Sequence, residues 1–194
     1  MRRNHSEVTD SKEIQRILSL TNIGRLATSG QDGYPYITPV NFVSLEGRIY
    51  FHCAPRGEKL DNIARDPKVC FEVDVPLAYL DAGFTENRSP CNLHQFYHSV
   101  VIRGTAVTVP NGAHKVDVLN ALVAKHEKGN NFSSVRSDMA AYKACRVVEI
   151  TPAVITAKSE LAQGKSPQVR ESLAKHFKKR GGAGAAEMIR ALGY

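Results

Sequence analysis

The sequence contains no long apolar run. No window of its 194 residues approaches the ~20 apolar residues that are needed to span a bilayer. The first six residues are basic, but a polar stretch with acidic residues follows where a secretory signal needs an apolar segment. These absences argue against a membrane-spanning protein and against a secretory leader. We therefore expect a soluble protein of the cytoplasm.

Cysteine is scarce, and the four cysteines are far apart in the chain. They are Cys53, Cys70, Cys91 and Cys145, and no two form a C-x-x-C pair. A disulfide scaffold or a zinc module shows closer spacing. We expect reduced thiols, mostly buried as small apolar side chains, with pairing between them as the alternative.

Basic charge is concentrated in the C-terminal tail. The chain has 26 Lys and Arg against 19 Asp and Glu, a net charge of +7. Residues 161–194 hold seven basic and two acidic side chains, hence +5, which leaves +2 for residues 1–160. Binding of RNA or of a membrane surface is one interpretation of such a tail. Because aromatic residues are not interleaved with its basic ones, apart from Phe177, we interpret it as a solvated face.

The apolar pattern predicts a mainly β protein of the α+β class with peripheral helices. Strands joined by turns are predicted over 24–29, 35–45, 48–53, 68–75, 95–109, 145–151 and 153–157. Helices are predicted over 10–20, 58–65, 113–127, 166–179 and 185–192. Many short strands with one crossing helix favour a small β-barrel. We predict a barrel domain over 1–160 and a basic helical appendage over 161–194.

Two prolines interrupt the predicted strands. Because proline has no N–H for the strand ladder, Pro39 is expected at an edge, a bulge or a kink that faces a ligand, and Pro152 between two strands. Residues 76–94 are predicted to be irregular, and a loop of that length in a compact domain is often functional. Its residues 87–89 would either cover a ligand or be solvated turn residues.

The segment with the most chemical content is the one in which strand 48–53 leads into a helix that begins at Glu58. A helix N-terminus presents free backbone N–H groups and a partial positive charge, which suits an anion. Gly57 permits close backbone approach, and Arg56 and Lys59 add full positive charge. These features predict a phosphate site; a solvated lysine in a first helical turn is the alternative.

This segment is one of several short motifs that occur in a recognisable order. They are IGRLAT at 23–28, PYITPVNF at 35–42, IYFHCA at 49–54, GEKLDNI at 57–63, PKVCFEV at 67–73 and SVVIRG at 99–104. Together they resemble the FMN-binding split-barrel family related to pyridoxamine 5′-phosphate oxidase. Within it, the chain looks most like the nitroimidazole-resistance (Nim) reductases, over about residues 10–155.

The resemblance implies a six-stranded antiparallel split β-barrel and a homodimer with FMN at its interface. The residues that match the family's cofactor-binding positions are Thr38, Pro39, Val40, Asn41, Phe51, His52, Cys53, Arg56, Lys59, Ser99 and Val100. Residues 38–41 would edge the isoalloxazine, and 51–53 would lie alongside the flavin and its ribityl chain. Lys59, together with Arg56, would bind the phosphate. Residues 99–100 would lie on the strand that approaches the ring.

The sequence departs from the family pattern in two places. The oxidases carry basic residues on the strand that matches 37–42, and this chain has none there. The arginine pattern with which they bind substrate is also missing from 161–194. The resemblance therefore implies an FMN-dependent reductase of a small molecule, such as a 5-nitroimidazole-type nitroaromatic compound, rather than an oxidase. The alternatives are a non-catalytic flavin or haem carrier or sensor, and a nucleic-acid-binding barrel.

Histidines supply the remaining candidates. Reduction of a nitro group or a quinone needs protons, so His52 beside a flavin is the candidate catalytic residue; a hydrogen-bonded strand histidine is the alternative. His94 and His98, near Cys91, would suggest a metal site on a helix, but the segment is predicted as a loop entering a strand. We expect no metal there, and expect Tyr97 and His98 to line a dimer interface or a pocket mouth.

Overall fold

The computed structural model describes residues 4–86, 88–127, 129, 131–182 and 184–194. Two compact units make up the chain. The first unit takes in Met1–Ile17, Asp74–Val100 and Thr156–Tyr194, and the second takes in Leu18–Val73 and Val101–Ile155. Asn87, in the predicted functional loop, lies outside the described residues. The predicted division at residue 160 stays a prediction.

The described chain contains seven strands and six α-helices. The strands are β1 (Glu7–Val8), β2 (Ile23–Ser29), β3 (Pro35–Leu45), β4 (Arg48–Cys53), β5 (Lys68–Leu80), β6 (His94–Thr108) and β7 (Arg146–Glu160). The helices are α1 (Ser11–Ser19), α2 (Glu58–Arg65), α3 (Ala113–His126), α4 (Ala140–Ala144), α5 (Pro167–Arg180) and α6 (Ala185–Leu192). Short 3₁₀ turns occur at Asn4–Ser6, Ala82–Phe84 and Pro90–Asn92. Among these described helices, none is long and apolar enough to cross a membrane.

The strands form one antiparallel sheet in the order β1-β7-β4-β3-β2-β5-β6, and a further pairing joins β7 to β6. That pairing closes a ring through six strands, β2 to β7. The two-residue strand β1 pairs with β7, with Val8 opposite Ala157. The predicted antiparallel split barrel of six strands with peripheral helices is therefore confirmed.

A tight hairpin sets the register around the predicted cofactor segment. Glu46 and Gly47 both have positive φ, 50° and 77°, the conformation that a two-residue hairpin turn requires. The turn pairs Leu45 with Arg48, and the ladder continues to Phe42 opposite Phe51. On its other side, β4 pairs with the first part of β7, from Ile49 opposite Ile150 to Cys53 opposite Arg146. The C-terminal end of β4 therefore lies between β3 and the start of β7.

Large apolar side chains fill the interior of the second unit. Phe42, Phe51 and Phe71 have no exposed surface, and the rings of Phe42 and Phe71 meet edge to face at 5.0 Å. Helix α3 packs on the sheet through a separate apolar cluster. It contains Val43, Tyr50, Val118, Leu119, Leu122, Tyr142 and Val147.

The C-terminal tail packs within the first unit. Leu173 and Phe177 of α5 and Met188 of α6 are buried in one apolar cluster with Leu77 and Phe96 of the sheet. Ser166 Oγ accepts a hydrogen bond from Val169 N at 3.4 Å, which caps the start of α5. Both tail helices thus form where the sequence predicts them.

Three expectations about local structure are wrong. Residues 76–80 continue β5 instead of starting a loop, because Leu77 and Leu80 pack against the tail helices. Pro152 does not divide the last strand: it lies between the part of β7 that pairs with β4 and the part that pairs with β1. The cysteines are not mostly buried: all four are free, three are half-buried, and Cys91 is exposed.

Candidate functional site

A cavity of about 500 Å³ opens in the second unit beside the β3–β4 ladder. Phe42 pairs with Phe51, and Asn41, which precedes Phe42, and His52, which follows Phe51, both line the cavity. Its apolar wall comes mainly from α3 and α4, and consists of Leu119, Leu122, Val123, Val135, Ala141 and Ala144. The remaining lining residues carry polar atoms and are Asn41, His52, His126, Glu127, Tyr142 and Cys145. A pocket with apolar walls and a few polar groups is typical of small-molecule sites.

The cavity contains two histidines from different elements. His52 is exposed at the end of β4, whereas His126 is half-buried in the last turn of α3. Burial lowers the pKa of His126 below its usual value of 6.5, and electrostatic interactions with Lys125 and His52 lower it further. The backbone carbonyl of Phe42 and the carboxylate of Glu127 act in the opposite direction. His126 is therefore neutral at neutral pH.

The start of α2 has the features of an anion site. Gly57 precedes the helix with φ of 141°, a conformation that favours glycine, and no side chain of the described residues caps the N–H groups at the helix start. Lys59 in that turn is half-buried, and Arg56 in the preceding loop is exposed. The acidic Glu58 lies in the same turn and opposes an anion there. Together these groups form a donor set of free amides and two cations that fits a phosphate.

Cys53 connects the cavity to the start of α2. Burial raises the pKa of the Cys53 thiol above 9.0, and Lys59 and Arg146 oppose this shift, whereas Cys145 adds to it. Because such electrostatic effects act at short range, the end of β4, the first turn of α2 and the start of β7 are neighbours. The structure thus brings together His52, Cys53 and Lys59 of the predicted residues.

The other predicted residues differ in accessibility. Thr38 is half-buried and Pro39 is exposed on β3, opposite Arg25 of β2. Val40, Phe51 and Val100 are buried, with 8, 0 and 0% exposure. Their side chains belong to the protein interior, so only their backbone atoms could contact a ligand. Ser99, which is half-buried, and Val100 lie on β6 in the first unit.

A buried lysine holds the α4 wall of the cavity in place. Lys115 of α3 is 1% exposed, and its Nζ donates hydrogen bonds to the carbonyls of Tyr142 at 2.9 Å and Cys145 at 2.8 Å. It also donates to Asn111 Oδ1 at 3.1 Å and lies 4.2 Å from the centroid of the Tyr142 ring. Lys115 thus satisfies carbonyls at the C-terminal end of α4 that the short helix leaves free.

The histidines near Cys91 take different places in the first unit. Cys91 and His94 line a cavity of about 420 Å³, which does not include His98. His98 has no exposed surface, and its Nδ1 lies 2.7 Å from Ser159 Oγ. The expectation that His98 lines an interface or a pocket mouth is therefore wrong. Among the described residues, no group of three or more His, Cys, Asp or Glu could hold a metal ion.

One protein family matches most of the chain. The profile described as pyridoxamine 5′-phosphate oxidase matches residues 10–159. The chain belongs to this family. A curated relative, the 5a,11a-dehydrotetracycline/5a,11a-dehydrooxytetracycline reductase of Streptomyces rimosus, is 34% identical over 93 residues, 46% of this chain and 56% of the relative. The chain thus spans little more than half the length of that relative.

Solved structures share the fold of this pyridoxamine 5′-phosphate oxidase family member. A Bacteroides thetaiotaomicron protein described as a candidate 5-nitroimidazole antibiotic resistance protein has a TM-score of 0.66 and 20% identity, covering 78% of this chain and 85% of its own. An FAD- and haem-binding protein from Mycobacterium smegmatis has a TM-score of 0.69 and 18% identity, covering 91% of this chain and 80% of its own. At these identities the likeness is one of fold.

Of the twelve residues that line the cavity of this family member, only Asn41 and His52 are among the predicted site residues. His126, Tyr142 and Cys145 were not among the predicted site residues, yet all three line it. One signal was available: His126 follows Leu119 by seven residues and Leu122 by four, so it continues the apolar face of α3. A histidine on such a face is a candidate for a pocket. No comparable signal marks α4, which is only five residues long.

Proposed function

We propose that this protein is a flavin-dependent oxidoreductase that binds FMN and reduces a small molecule, such as a nitroaromatic compound of the 5-nitroimidazole type. The proposal depends mainly on one arrangement. Strand β4 brings His52 to an apolar cavity, and the segment that follows it brings Lys59 to an uncapped helix start. FMN needs an anchor for its phosphate, and a reductase needs a cavity for the small molecule that it reduces; these two features match those needs.

Relatedness supports the same function. The family is described as pyridoxamine 5′-phosphate oxidase, and the Streptomyces rimosus relative is a reductase. The basic residues that the oxidases carry on the strand matching β3 are missing here, which favours a reductase in this chain. Phosphate binding would then depend on Lys59, Arg56 and the free N–H groups of α2.

The residues of this chain have definite parts in such a reaction. A bound flavin supplies reversible transfer of two electrons. Reduction of a nitro group to a nitroso group takes up two electrons and two protons: one N–O bond breaks, two O–H bonds form and one water leaves. His52, exposed at the cavity, would pass a solvent proton to the ligand oxygen. Asn41 would orient the ligand through its amide, which both donates and accepts hydrogen bonds.

The phosphate anchor can be tested with two ligands that differ only in that group. FMN and riboflavin are titrated separately into flavin-free protein, and the quenching of flavin fluorescence gives each affinity. Loss of a charge-assisted hydrogen bond in Lys59→Ala should weaken FMN binding by about 10- to 100-fold. Riboflavin binding should not change. Lys178→Ala, an exposed lysine of α5, is the control and should bind FMN like the wild type.

Equal FMN affinity in Lys59→Ala and Lys178→Ala would remove Lys59 from the phosphate site. A visible spectrum of the purified protein then separates the functions. Flavin bands that bleach on anaerobic reduction and return on adding a 5-nitroimidazole support the reductase. Flavin bands that do not return would indicate a carrier or sensor, and a Soret band would indicate haem.

We also propose that the protein is a homodimer with FMN at its interface, as the family resemblance implies. Light scattering after gel filtration should give twice the chain mass of 21.3 kDa. If FMN lies at the interface, dimer dissociation on dilution should be weaker with FMN than without it. A monomer that binds FMN with unchanged affinity would contradict this part of the proposal.

A further inference from the structure

An unpartnered nitrogen marks the cavity of the second unit as a binding site. His126 Nε2 is buried, and within the described protein it has no hydrogen-bond partner. A buried polar atom without a partner costs free energy, because its hydrogen bond to water is lost and not replaced. His126 lines the cavity, so a molecule bound there can supply the missing partner.

The charges around His126 indicate what kind of molecule fits. Lys125 is turned away: its Nζ lies 3.5 Å from the centroid of the Phe42 ring and donates to the carbonyl of Leu18 at 3.2 Å. Glu127 and the exposed His52 are the other charged or titratable groups near His126. Tyr142 of α4 and Cys145, which follows that helix, add a hydroxyl and a thiol. His126 is itself neutral at neutral pH, so it supplies no charge for an anionic ligand. Glu127 is the one carboxylate among the described lining residues, and because it is exposed to water it attracts a cation only weakly.

The shape and lining of the cavity restrict the ligand further. Its volume of about 500 Å³ lies within the range of small-molecule pockets, roughly 300–1,000 Å³. Leu122 and Val123 of α3 and Ala141 and Ala144 of α4 give it apolar walls. Such walls gain free energy by covering apolar surface. An uncharged molecule with a flat apolar body and an N–H or O–H group that can donate to His126 Nε2 meets all of these conditions.

We infer that this cavity binds the substrate of the proposed reductase, an uncharged aromatic nitro compound with an N–H or O–H group, and that His126 is a specificity residue whose Nε2 accepts a hydrogen bond from that group. This inference rests on the proposed function for the identity of the substrate. The flavin phosphate, in contrast, is assigned to Lys59 at the start of α2. The two sites therefore depend on different residues, and separate variants can test them.

The experiment measures binding of 2-methyl-5-nitroimidazole by equilibrium dialysis, with and without FMN. His126→Leu removes the hydrogen bond and puts an apolar side chain of similar size in its place. It should weaken probe binding by about three- to ten-fold. His114→Leu is the matched control, because His114 is on the same helix but does not line the cavity. It should bind the probe like the wild type.

A second pair of variants fills the cavity. Ala141→Trp adds a bulky ring at a lining position of α4, whereas Ala140→Trp adds the same ring one residue earlier, outside the lining. Both alanines are exposed, so neither ring has to enter the core. Ala141→Trp should abolish probe binding and keep the wild-type FMN affinity. Ala140→Trp should change neither.

The outcomes separate this inference from the proposed function. If neither the wild type nor any variant binds FMN, the flavin proposal fails. If the probe still binds the wild type and not Ala141→Trp, the cavity site is supported. If Ala141→Trp loses FMN, the cavity is the flavin site and the inference is overturned. It is also overturned if the wild type does not bind the probe, or if His126→Leu and Ala141→Trp both bind it normally.

Discussion

His98 Nδ1 and Ser159 Oγ lie 2.7 Å apart, and His98 has no exposed surface at all. Its second ring nitrogen, Nε2, is 3.5 Å from Glu187 Oε1, too far for a good hydrogen bond. Burial lowers the pKa of His98 below its usual value of 6.5, and the guanidinium of Arg16 lowers it further, while Glu187 opposes both. The folded protein therefore holds this imidazole neutral.

Acid should destabilise the fold through this histidine. Between pH 6.5 and the lowered pKa of the folded state, the unfolded chain binds a proton at His98 that the folded chain does not. The free energy of unfolding therefore decreases as the pH decreases. The slope is at most about 1.4 kcal/mol per pH unit for each such histidine. His126 adds to it, since its pKa is lowered too. Urea unfolding of the wild type and His98→Gln between pH ~7 and ~5 measures the effect. The variant should have the shallower slope; equal slopes would contradict it.

Local signals explain what the sequence predicts well. The β3–β4 hairpin is predicted with its observed bounds, because the alternating apolar residues and the Glu46-Gly47 turn are adjacent in the chain. Contacts with distant residues explain the failures. Residues 76–80 continue β5 because Leu77 and Leu80 pack against helices α5 and α6, which come much later in the chain. His126 was missed for the same reason: the residues that make it part of a cavity lie on β4 and α4.

Gly24 should not tolerate even a methyl group. A Cβ atom there would lie 2.1 Å from Cζ of Phe71, a ring that is fully buried and packs against Phe42. Gly24→Ala forces that ring to move in a close-packed interior, so we expect a loss of about 1–3 kcal/mol in the free energy of unfolding. Gly164→Ala is the control, with open space around its Cβ position. Adding Phe71→Leu should recover part of the loss; a fully additive double variant would show that the ring is not the cause.

Lys115 should stabilise the cavity wall although its ammonium is buried without a carboxylate among its hydrogen-bond partners. Lys115→Met keeps the apolar stem but leaves the carbonyls of Tyr142 and Cys145 without their donor. The variant no longer buries a charge, which is favourable, but it leaves several carbonyl groups without hydrogen bonds, which costs more. We therefore expect a loss of about 2–3 kcal/mol in the free energy of unfolding, measured with urea. Lys143→Met, an exposed lysine of α4, should cost almost nothing. Because Lys115 holds the carbonyls at the C-terminal end of α4, Lys115→Met should also speed the hydrogen exchange of α4 amides relative to those of α3. Unchanged or increased stability would mean that burying the charge costs more than its hydrogen bonds return.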